Sequence, residues 1–250
     1  MIDVAIETAK KAGQLALKYY QTHPKVSYKA DTSPVTKADI EAEKLARSII
    51  VKNFPDHGII GEELPNINLK SKYQWTIDPI DGTKLFIRGI PTWSTLIALL
   101  ENGKPIIGVL YYPPIDELYV AQHAKGAFLN NKKIKVSNVS SFKHAFMSHN
   151  ALKHFNNINK VKQLVTIANK CHVIRGYGDA YGYSLLASGK IDIFMEAYVA
   201  IHDIAAPYIL IKEAGGQFTD FKGQDSITSG TSLATNGLLH EQVIKLLNKS

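Results

Sequence analysis

The sequence predicts an α/β fold in which helices and sheets are layered in two successive parts. Three observations predict it. Apolar residues recur at helical spacing near the start, short apolar strands follow around the hairpin signal Asn102-Gly103, and beyond Ser140 helices and strands alternate. With 45% hydrophobic and 20% charged residues among 250, the chain can form a packed core. We place a boundary near residue 142, giving parts 1–142 and 143–250.

Two amphipathic helices open the first part. Ala5, Ala9, Ala12 and Ala16 form one apolar stripe, and His23-Pro24 is expected to end that helix. A second helix is predicted to begin near Thr36. Asp39 follows three residues later, as in a capping box, and Asn53 and Pro55 close this helix.

The rest of the first part is predicted to be strands. Asn102-Gly103 favours a two-residue hairpin turn and Asn130-Asn131 a further turn. The two helices should therefore pack on a mostly antiparallel sheet. The predicted strands are 58–61, 73–77, 94–100, 105–112, 117–121, 127–129 and 133–136.

Helices and strands alternate in the second part, as in an α/β unit. The predicted helices are 156–170, 179–188, 203–214 and 237–248, and the predicted strands are 172–175, 191–195, 216–219 and 232–235.

Composition and charge narrow the possible functions. The single cysteine, Cys171, excludes an intramolecular disulfide framework and favours a reducing cytoplasm. Charged residues interrupt the N-terminus, so we expect no signal peptide, and no apolar run is long enough for a membrane span. The net charge of +7 favours an anionic partner such as a phosphorylated metabolite. The lysines are scattered, so we expect neither nucleic acid nor a membrane as partner.

The strongest chemical signal is the segment Trp75-Thr76-Ile77-Asp78-Pro79-Ile80-Asp81-Gly82-Thr83. A buried strand leads into two carboxylates, and Pro79 is expected to turn the chain there. Carboxylate oxygens, with the Ile80 carbonyl between them, suit Mg²⁺. Gly82 and Thr83 begin a short helix whose free N–H groups favour an anion. Alone, this segment is also compatible with a simple Asx turn that caps a helix.

Two more acidic features strengthen the metal hypothesis. Glu62 and Glu63 follow a predicted strand, where adjacent carboxylates need a cation or full exposure. Asp203 begins a predicted helix with Pro207 in its first turn or so. The simpler interpretations are an exposed acidic turn for Glu62-Glu63 and a helix N-cap for Asp203.

Together these motifs resemble the inositol monophosphatase family. Gly61-Glu62-Glu63, Asp78-Pro79-Ile80-Asp81-Gly82-Thr83, and Asp203 with Glu213-Ala214-Gly215-Gly216 stand in the family's order, and the similarity extends to Ala234-Thr235-Asn236-Gly237. The resemblance implies an αβαβα sandwich and a Mg²⁺-dependent, commonly lithium-sensitive phosphomonoesterase. It also implies two or three Mg²⁺ ions per site, Mn²⁺ as a substitute, and a homodimer.

The resemblance also implies roles for individual residues. Glu62, Asp78, Asp81 and the Ile80 carbonyl resemble the first metal's ligands, and Asp203 resembles a ligand of the second. Gly82 and Thr83 resemble the phosphate-binding residues. Glu62 and the pair Thr83–Asp39 resemble the groups that accept the proton of the attacking water. The alternative role that the resemblance implies for Asp39 is to help hold a third metal. His202 stands where many members carry tryptophan.

Several stretches are similar to the histidinol-phosphatase branch, among them Arg175-Gly176-Tyr177-Gly178-Asp179. Arg175, Asp179 and Glu196 are the expected substrate contacts. Two carboxylates, Asp179 and Glu196, suit a cationic aminoalcohol. Asp179 as a helix N-cap and Glu196 as an exposed strand-end acid are the alternatives.

Other functions stay open at this point. Inositol monophosphate, fructose bisphosphate and 3′-phosphoadenosine nucleotides are the other candidate substrates, and a non-catalytic binder of phosphorylated ligands or nucleic acid is the non-enzyme alternative. The histidines show no paired ligand spacing, so His149 and His154, among others, are expected to be structural or on the surface.

Overall fold

A computed structural model describes residues 1–22, 26–28 and 34–249. The helices are α1 (Ile2–Leu17), α2 (Lys37–Asn53), α3 (Thr83–Phe86), α4 (Leu152–Asn157), α5 (Val161–Ala168), α6 (Asp179–Ala187), α7 (Ile201–Glu213) and α8 (His240–Leu247). The first nine strands are β1 (Val26–Tyr28), β2 (Pro34–Thr36), β3 (Gly58–Gly61), β4 (Tyr73–Asp81), β5 (Ser94–Glu101), β6 (Lys104–Tyr112), β7 (Glu117–Gln122), β8 (Gly126–Leu129) and β9 (Lys132–Ile134). The remaining strands are β10 (Phe146–His149), β11 (Val173–Arg175), β12 (Ile193–Ala197), β13 (Gln217–Thr219) and β14 (Thr231–Thr235).

The larger sheet contains seven strands in sequential order, β3 to β9. Only the pair β3–β4 is parallel, so the predicted antiparallel meander is confirmed. Glu101 pairs with Lys104 across the predicted hairpin turn. Asn102 and Gly103 both have positive φ, as a type I′ turn requires.

The smaller sheet contains five strands in the order β11-β10-β12-β14-β13. One side of this sheet is parallel, because β10 pairs in parallel with both β11 and β12, while β14 runs antiparallel to its neighbours β12 and β13. The crossover helices that parallel strands need are α4, α5 and α6.

Three hydrophobic cores arrange these elements in five layers. Residues of α1 and α2 pack on one face of the larger sheet. Residues of α6 and α7 fill the space between the two sheets. Residues of α4, α5 and α8 cover the outer face of the smaller sheet. The αβαβα fold class is therefore confirmed. The middle core contains side chains from both sides of residue 142. The division of the chain into two domains at that boundary therefore stays a prediction.

Three local predictions differ from the structure, and one strand was missed. The predicted helix 156–170 is two helices, separated where Asn159 takes a positive φ. β10 was not predicted. β4 continues through Pro79 as far as Asp81, with an irregular register instead of a turn. Pro207 lies in the second turn of α7, inside the helix. The predicted helix end at His23-Pro24 lies outside the described residues, and α1 itself ends at Leu17.

Candidate metal and phosphate site

Three carboxylates from two parts of the chain meet between the sheets. Oxygen atoms of Asp78, Asp81 and Asp203 all lie within 4.8 Å of one another. Asp78 and Asp81 come from the end of β4, and Asp203 comes from the first turn of α7. They line a cleft of about 200 Å³ together with Glu62, Ile80, Gly82 and Thr83.

The end of β4 is shaped so that both of its acids face this cleft. The Asp78 carboxylate accepts a hydrogen bond from the Ile80 N–H at 3.0 Å, within the end of the strand. The register with β5 shifts between Asp78 and Asp81. A regular strand alternates its side chains between the two faces of the sheet, whereas this irregularity lets two acids three residues apart converge.

Asp81 lies against the start of α6. Its Oδ2 accepts a hydrogen bond of 2.9 Å from the Ala180 N–H, one of the N–H groups that a helix start leaves unpaired. A longer contact of 3.4 Å joins the same oxygen to the Ser94 hydroxyl. Residues almost a hundred positions apart are thus joined at the cleft.

Asp203 stands in the first turn of α7, after the helix has begun at Ile201. The suggestion that Asp203 is the N-cap is therefore wrong, because Ala200 occupies that position. The Asp203 carboxylate accepts from the Ala200 N–H at 2.7 Å, and its other oxygen lies 3.4 Å from His202 Nε2. Pro207 has no N–H, so it cannot bond the Asp203 carbonyl four residues earlier.

The pKa values of this cluster are raised by burial. Burial, followed by the charge of Glu62, raises the pKa of Asp78 well above its ordinary value. Burial, followed by the charge of Asp179, does the same to the pKa of Asp81. Burial also raises the pKa of Asp203, although His202 and the Ala200 N–H oppose it. Asp78 and Asp81 are buried and Asp203 is partly exposed. Carboxylates this close need a proton or a cation, and hard oxygen donors fit Mg²⁺.

The segment after Asp81 exposes main-chain donors to the same cleft. Gly82 has φ +82°, and the first main-chain bond of α3 runs from the Leu85 N–H to the Gly82 carbonyl. The N–H groups of Gly82, Thr83 and Lys84 therefore have no acceptor inside the helix. The adjoining Lys84 ammonium adds a positive charge at the rim.

Asp39 serves mainly as a helix cap, with only a long contact to Thr83. Its Oδ2 accepts from the Thr36 N–H at 2.8 Å and from the Thr36 hydroxyl at 2.6 Å, so the predicted capping box is confirmed. Its Oδ1 lies 3.5 Å from the Thr83 hydroxyl, which is also 3.1 Å from the Ile80 carbonyl. Asp39 is fully buried, and burial raises its pKa.

A buried ion pair that the sequence analysis missed holds the loop of Glu62 and Glu63. The Glu43 carboxylate has no solvent exposure, pairs with Arg47 at 2.7 Å, and accepts from the Glu63 N–H at 2.7 Å. Arg47 also donates to the Leu64 and Pro65 carbonyls. Glu43 and Arg47 are four residues apart on α2, so the sequence could have predicted that they pair. It could not have predicted which loop the pair binds.

Asp179 and Glu196 both line the cleft. Asp179 is the first residue of α6, with φ +57°, and Gly178 is the N-cap, so Asp179 as N-cap is wrong. Glu196 is only 4% exposed, so an exposed strand-end acid is wrong as well. Burial, followed by the charges of Asp179 and Asp203, raises the pKa of Glu196 to about 8.

Arg175 does not join the residues that line this cleft. It is exposed at the end of β11, and its guanidinium donates to the carbonyl of its own neighbour, Ile174, at 2.8 Å. His154, expected to be structural or on the surface, does line the cleft, as do Asn150 and Tyr198. No motif marked these three residues, because helix α4 and the ends of the two strands β10 and β12 bring them together.

Comparisons with known proteins point to one family. The model of the inositol monophosphatase family matches residues 1–250. A histidinol-phosphatase of Chlorobaculum parvum is 37% identical over 238 residues, covering 94% of this chain and 91% of the relative. One from Mycobacterium tuberculosis is 34% identical, covering 98% and 96%. The solved structure of the inositol monophosphatase of Thermotoga maritima has a TM-score of 0.90 at 33% identity, covering 98% and 96%.

No described helix has the length and the apolar character needed to cross a membrane. The family match spans the whole chain, and both relatives match along nearly their full lengths. The chain therefore belongs to the inositol monophosphatase family and is a metal-dependent phosphoric monoester hydrolase.

Proposed function

We propose that this enzyme hydrolyses histidinol phosphate to histidinol and phosphate. The observation that carries this proposal is the pair of carboxylates, half-buried Asp179 and buried Glu196, that line the cleft beside the three-aspartate cluster. Histidinol phosphate carries an ammonium group and an imidazole, whereas inositol phosphate carries neither. The carboxylates of Asp179 and Glu196 therefore suit histidinol as the leaving group better than inositol. The two relatives named above are both called histidinol-phosphatases.

The donor set fits Mg²⁺, with Mn²⁺ as a substitute. Glu62, Asp78, Asp81 and the Ile80 carbonyl would hold one ion, and Asp203 with the adjoining acids would hold a second; we expect two or three in all. Every donor is a hard oxygen, and burial, followed by the neighbouring charges, raises the pKa of Asp78 and Asp81, which disfavours their charged forms unless a cation is bound. When bound, Mg²⁺ supplies Lewis acidity to the phosphoryl group and lowers the pKa of water.

The chain's own residues position the ester and accept the proton. The N–H groups of Gly82 and Thr83 would bind phosphoryl oxygens. Glu62 and the Thr83–Asp39 pair would take the proton of a water that attacks phosphorus in line. The 3.5 Å contact between Thr83 and Asp39 would have to shorten in the complex. We expect no phosphorylated enzyme intermediate.

Asp179 and Glu196 would bind the ammonium group of the leaving aminoalcohol. A hydrogen bond to a charged group contributes about 1.5–3 kcal/mol, so Asp179→Asn should lower kcat/KM for histidinol phosphate by about 10- to 150-fold. The loss on inositol monophosphate should be much smaller, because that ester has no ammonium group. Asparagine also tolerates the positive φ of this position.

The deciding experiment compares the wild-type rates on four esters: histidinol phosphate, inositol monophosphate, fructose bisphosphate and 3′-phosphoadenosine nucleotides. The proposal expects the highest kcat/KM for histidinol phosphate and loss of activity in EDTA, restored by Mg²⁺. A faster rate on inositol monophosphate would reject this substrate and favour the alternative, an inositol-1-monophosphatase. Equal losses in Asp179→Asn on histidinol phosphate and inositol monophosphate would show that Asp179 is structural.

Three further properties accompany the proposal. Membership of the family supports inhibition by lithium and assembly as a homodimer, and the single Cys171 supports a cytoplasmic location. Rate measurements in LiCl and sedimentation of the purified protein test the first two.

A further inference from the structure

We infer that His154 and Tyr198 form an aromatic wall that binds a planar ring in the leaving group of the substrate. The inference rests on the proposed function and adds to it. Asp179 and Glu196 were proposed to bind the ammonium group of the substrate, and His154 and Tyr198 would bind its ring. Both side chains line the catalytic cleft beside Asp179 and Glu196. Their ring centroids lie 5.5 Å apart, with an interplanar angle of 41°.

Tyr198 is unusual in both its exposure and its backbone. Tyr198 is 68% exposed, more than any other large hydrophobic residue in the part of the chain that the structure describes. Its φ is +67°, a conformation that L residues rarely adopt. The N–H groups of Tyr198 and Val199 both donate to the Gly230 carbonyl, at 2.8 and 3.2 Å, and these bonds hold the strained turn. Backbone strain of this kind collects at sites that bind ligands.

His154 is fixed in place behind Tyr198. Its Nδ1 lies 3.1 Å from the Ala197 carbonyl and 3.2 Å from Nδ2 of Asn150. Asn150 in turn donates to the same carbonyl at 2.8 Å and accepts from the Ala197 N–H at 3.3 Å. The Asn150 side chain therefore joins the end of β10 to the end of β12, and the His154 ring is held against this junction.

A second cavity gives the leaving group room to extend past this wall. It measures about 750 Å³ and shares Lys84, Asn150, His154 and Asp179 with the catalytic cleft. His154 thus stands where the two spaces meet. A phosphate held at the aspartates would direct its leaving group between Asp179 on one side and the wall on the other. Ring contacts of this kind, with or without a positive charge on the ligand, contribute modest but measurable binding.

The test uses a pair of substrates that differ only in the ring. Histidinol phosphate is compared with 2-aminopropyl phosphate, which keeps the ammonium group and lacks the imidazole. The readout is the ratio of the two kcat/KM values in each variant. Tyr198→Leu should lower this ratio by about 5- to 30-fold, whereas Tyr198→Phe, which keeps the ring, should stay within about twofold of wild type. His154→Leu should lower the ratio in the same direction.

Two further variants separate this inference from the proposed function. Asp179→Asn should lower the rates on both aminoalcohol phosphates and leave their ratio unchanged, because both carry the ammonium group. Ile115→Ala is a surface control, because Ile115 is exposed in the turn between β6 and β7 and lines neither cavity. It should leave the ratio unchanged. A wild-type preference for inositol monophosphate would reject the proposed substrate, whatever the ratio does. An unchanged ratio in both Tyr198→Leu and His154→Leu would overturn the aromatic wall.

Discussion

The three-aspartate cluster is a place where activity and stability oppose each other. Asp78 and Asp81 are buried next to other acids, and burial, followed by the charges of neighbouring carboxylates, raises the pKa of both. A group whose pKa is higher in the folded than in the unfolded state destabilises the fold once the pH passes its unfolded value. Without a cation, these residues therefore weaken the protein at neutral pH.

Asp78→Asn should separate the two effects. Losing a charged metal ligand removes several kcal/mol of transition-state stabilisation, so we expect kcat to fall by about 10³-fold or more. The metal-free variant should unfold at a higher temperature than the metal-free wild type at pH 7.5, because one repelling charge has gone. Rates and thermal unfolding in EDTA measure both effects. Near-normal turnover would show that Asp78 is not a ligand.

Individual residues also show what the sequence could and could not reveal. Asp78, Asp81 and Asp203 were predicted to converge, and they do. The local sequence indicated that Asp78 and Asp81 meet at a strand end, whereas Asp203 was joined to them by the resemblance to the family. His154, Asn150 and Tyr198 were missed because they reach the cleft only through the packing of β10 against β12. Arg175 was expected to contact the substrate because its stretch resembles the histidinol-phosphatase branch. In the structure it is exposed at the end of β11 and donates to the Ile174 carbonyl.

At the scale of elements, α2 supports the site through the ion pair of Glu43 and Arg47. This pair anchors the loop after β3, which carries Glu62. The Glu43 side chain is fully buried and that of Arg47 is 13% exposed. Gly61 lets the Glu43 carboxylate lie close to the main chain of β3, because a Cβ at position 61 would be only 2.0 Å from that carboxylate.

Arg47→Met should therefore release the loop and leave the Glu43 charge unpaired. We expect a loss of about 3 kcal/mol in the free energy of unfolding, and a higher Mg²⁺ concentration for half-maximal activity. Urea unfolding and Mg²⁺ titration of the rate measure the two effects. The matched control is Lys37→Met, which breaks the exposed pair with Glu41 on the same helix and should change neither quantity measurably. Unchanged Mg²⁺ dependence in Arg47→Met would remove the link between this pair and the metal site.

The elements that were predicted well are those with strong local signals. The Asn102-Gly103 hairpin and the capping box of α2 needed only neighbouring residues. The passage of β4 through Pro79 could not be read locally, because the proline is accommodated by the register irregularity with β5. The break at Asn159 between α4 and α5 was hidden by a sequence that contains no glycine or proline there.

For the whole molecule, the buried acids and the buried histidine shift stability with pH in opposite directions. Burial lowers the pKa of His240 to about 4, so His240 stays neutral when folded and costs stability only below its unfolded value of about 6.5. The pKa of Glu196 is raised to about 8, so its destabilising effect grows from about pH 4.3 up to about pH 8. Above pH 6.5 the acids alone should therefore set the trend.

We accordingly expect the unfolding temperature of the metal-free protein to fall between pH 6.5 and pH 8.5, as Glu196 and the aspartates lose their protons. Mg²⁺ should raise the unfolding temperature, and by more at pH 8.5 than at pH 6.5, because it competes with protons for the same carboxylates. Calorimetry in EDTA and in Mg²⁺ across this range measures both trends. Glu196→Gln should flatten the metal-free profile near pH 8, while Glu117→Gln, an acid on β7 away from the cleft, should leave it unchanged. A metal-free unfolding temperature that rises from pH 6.5 to pH 8.5 would contradict the assignment of raised pKa values to this cluster.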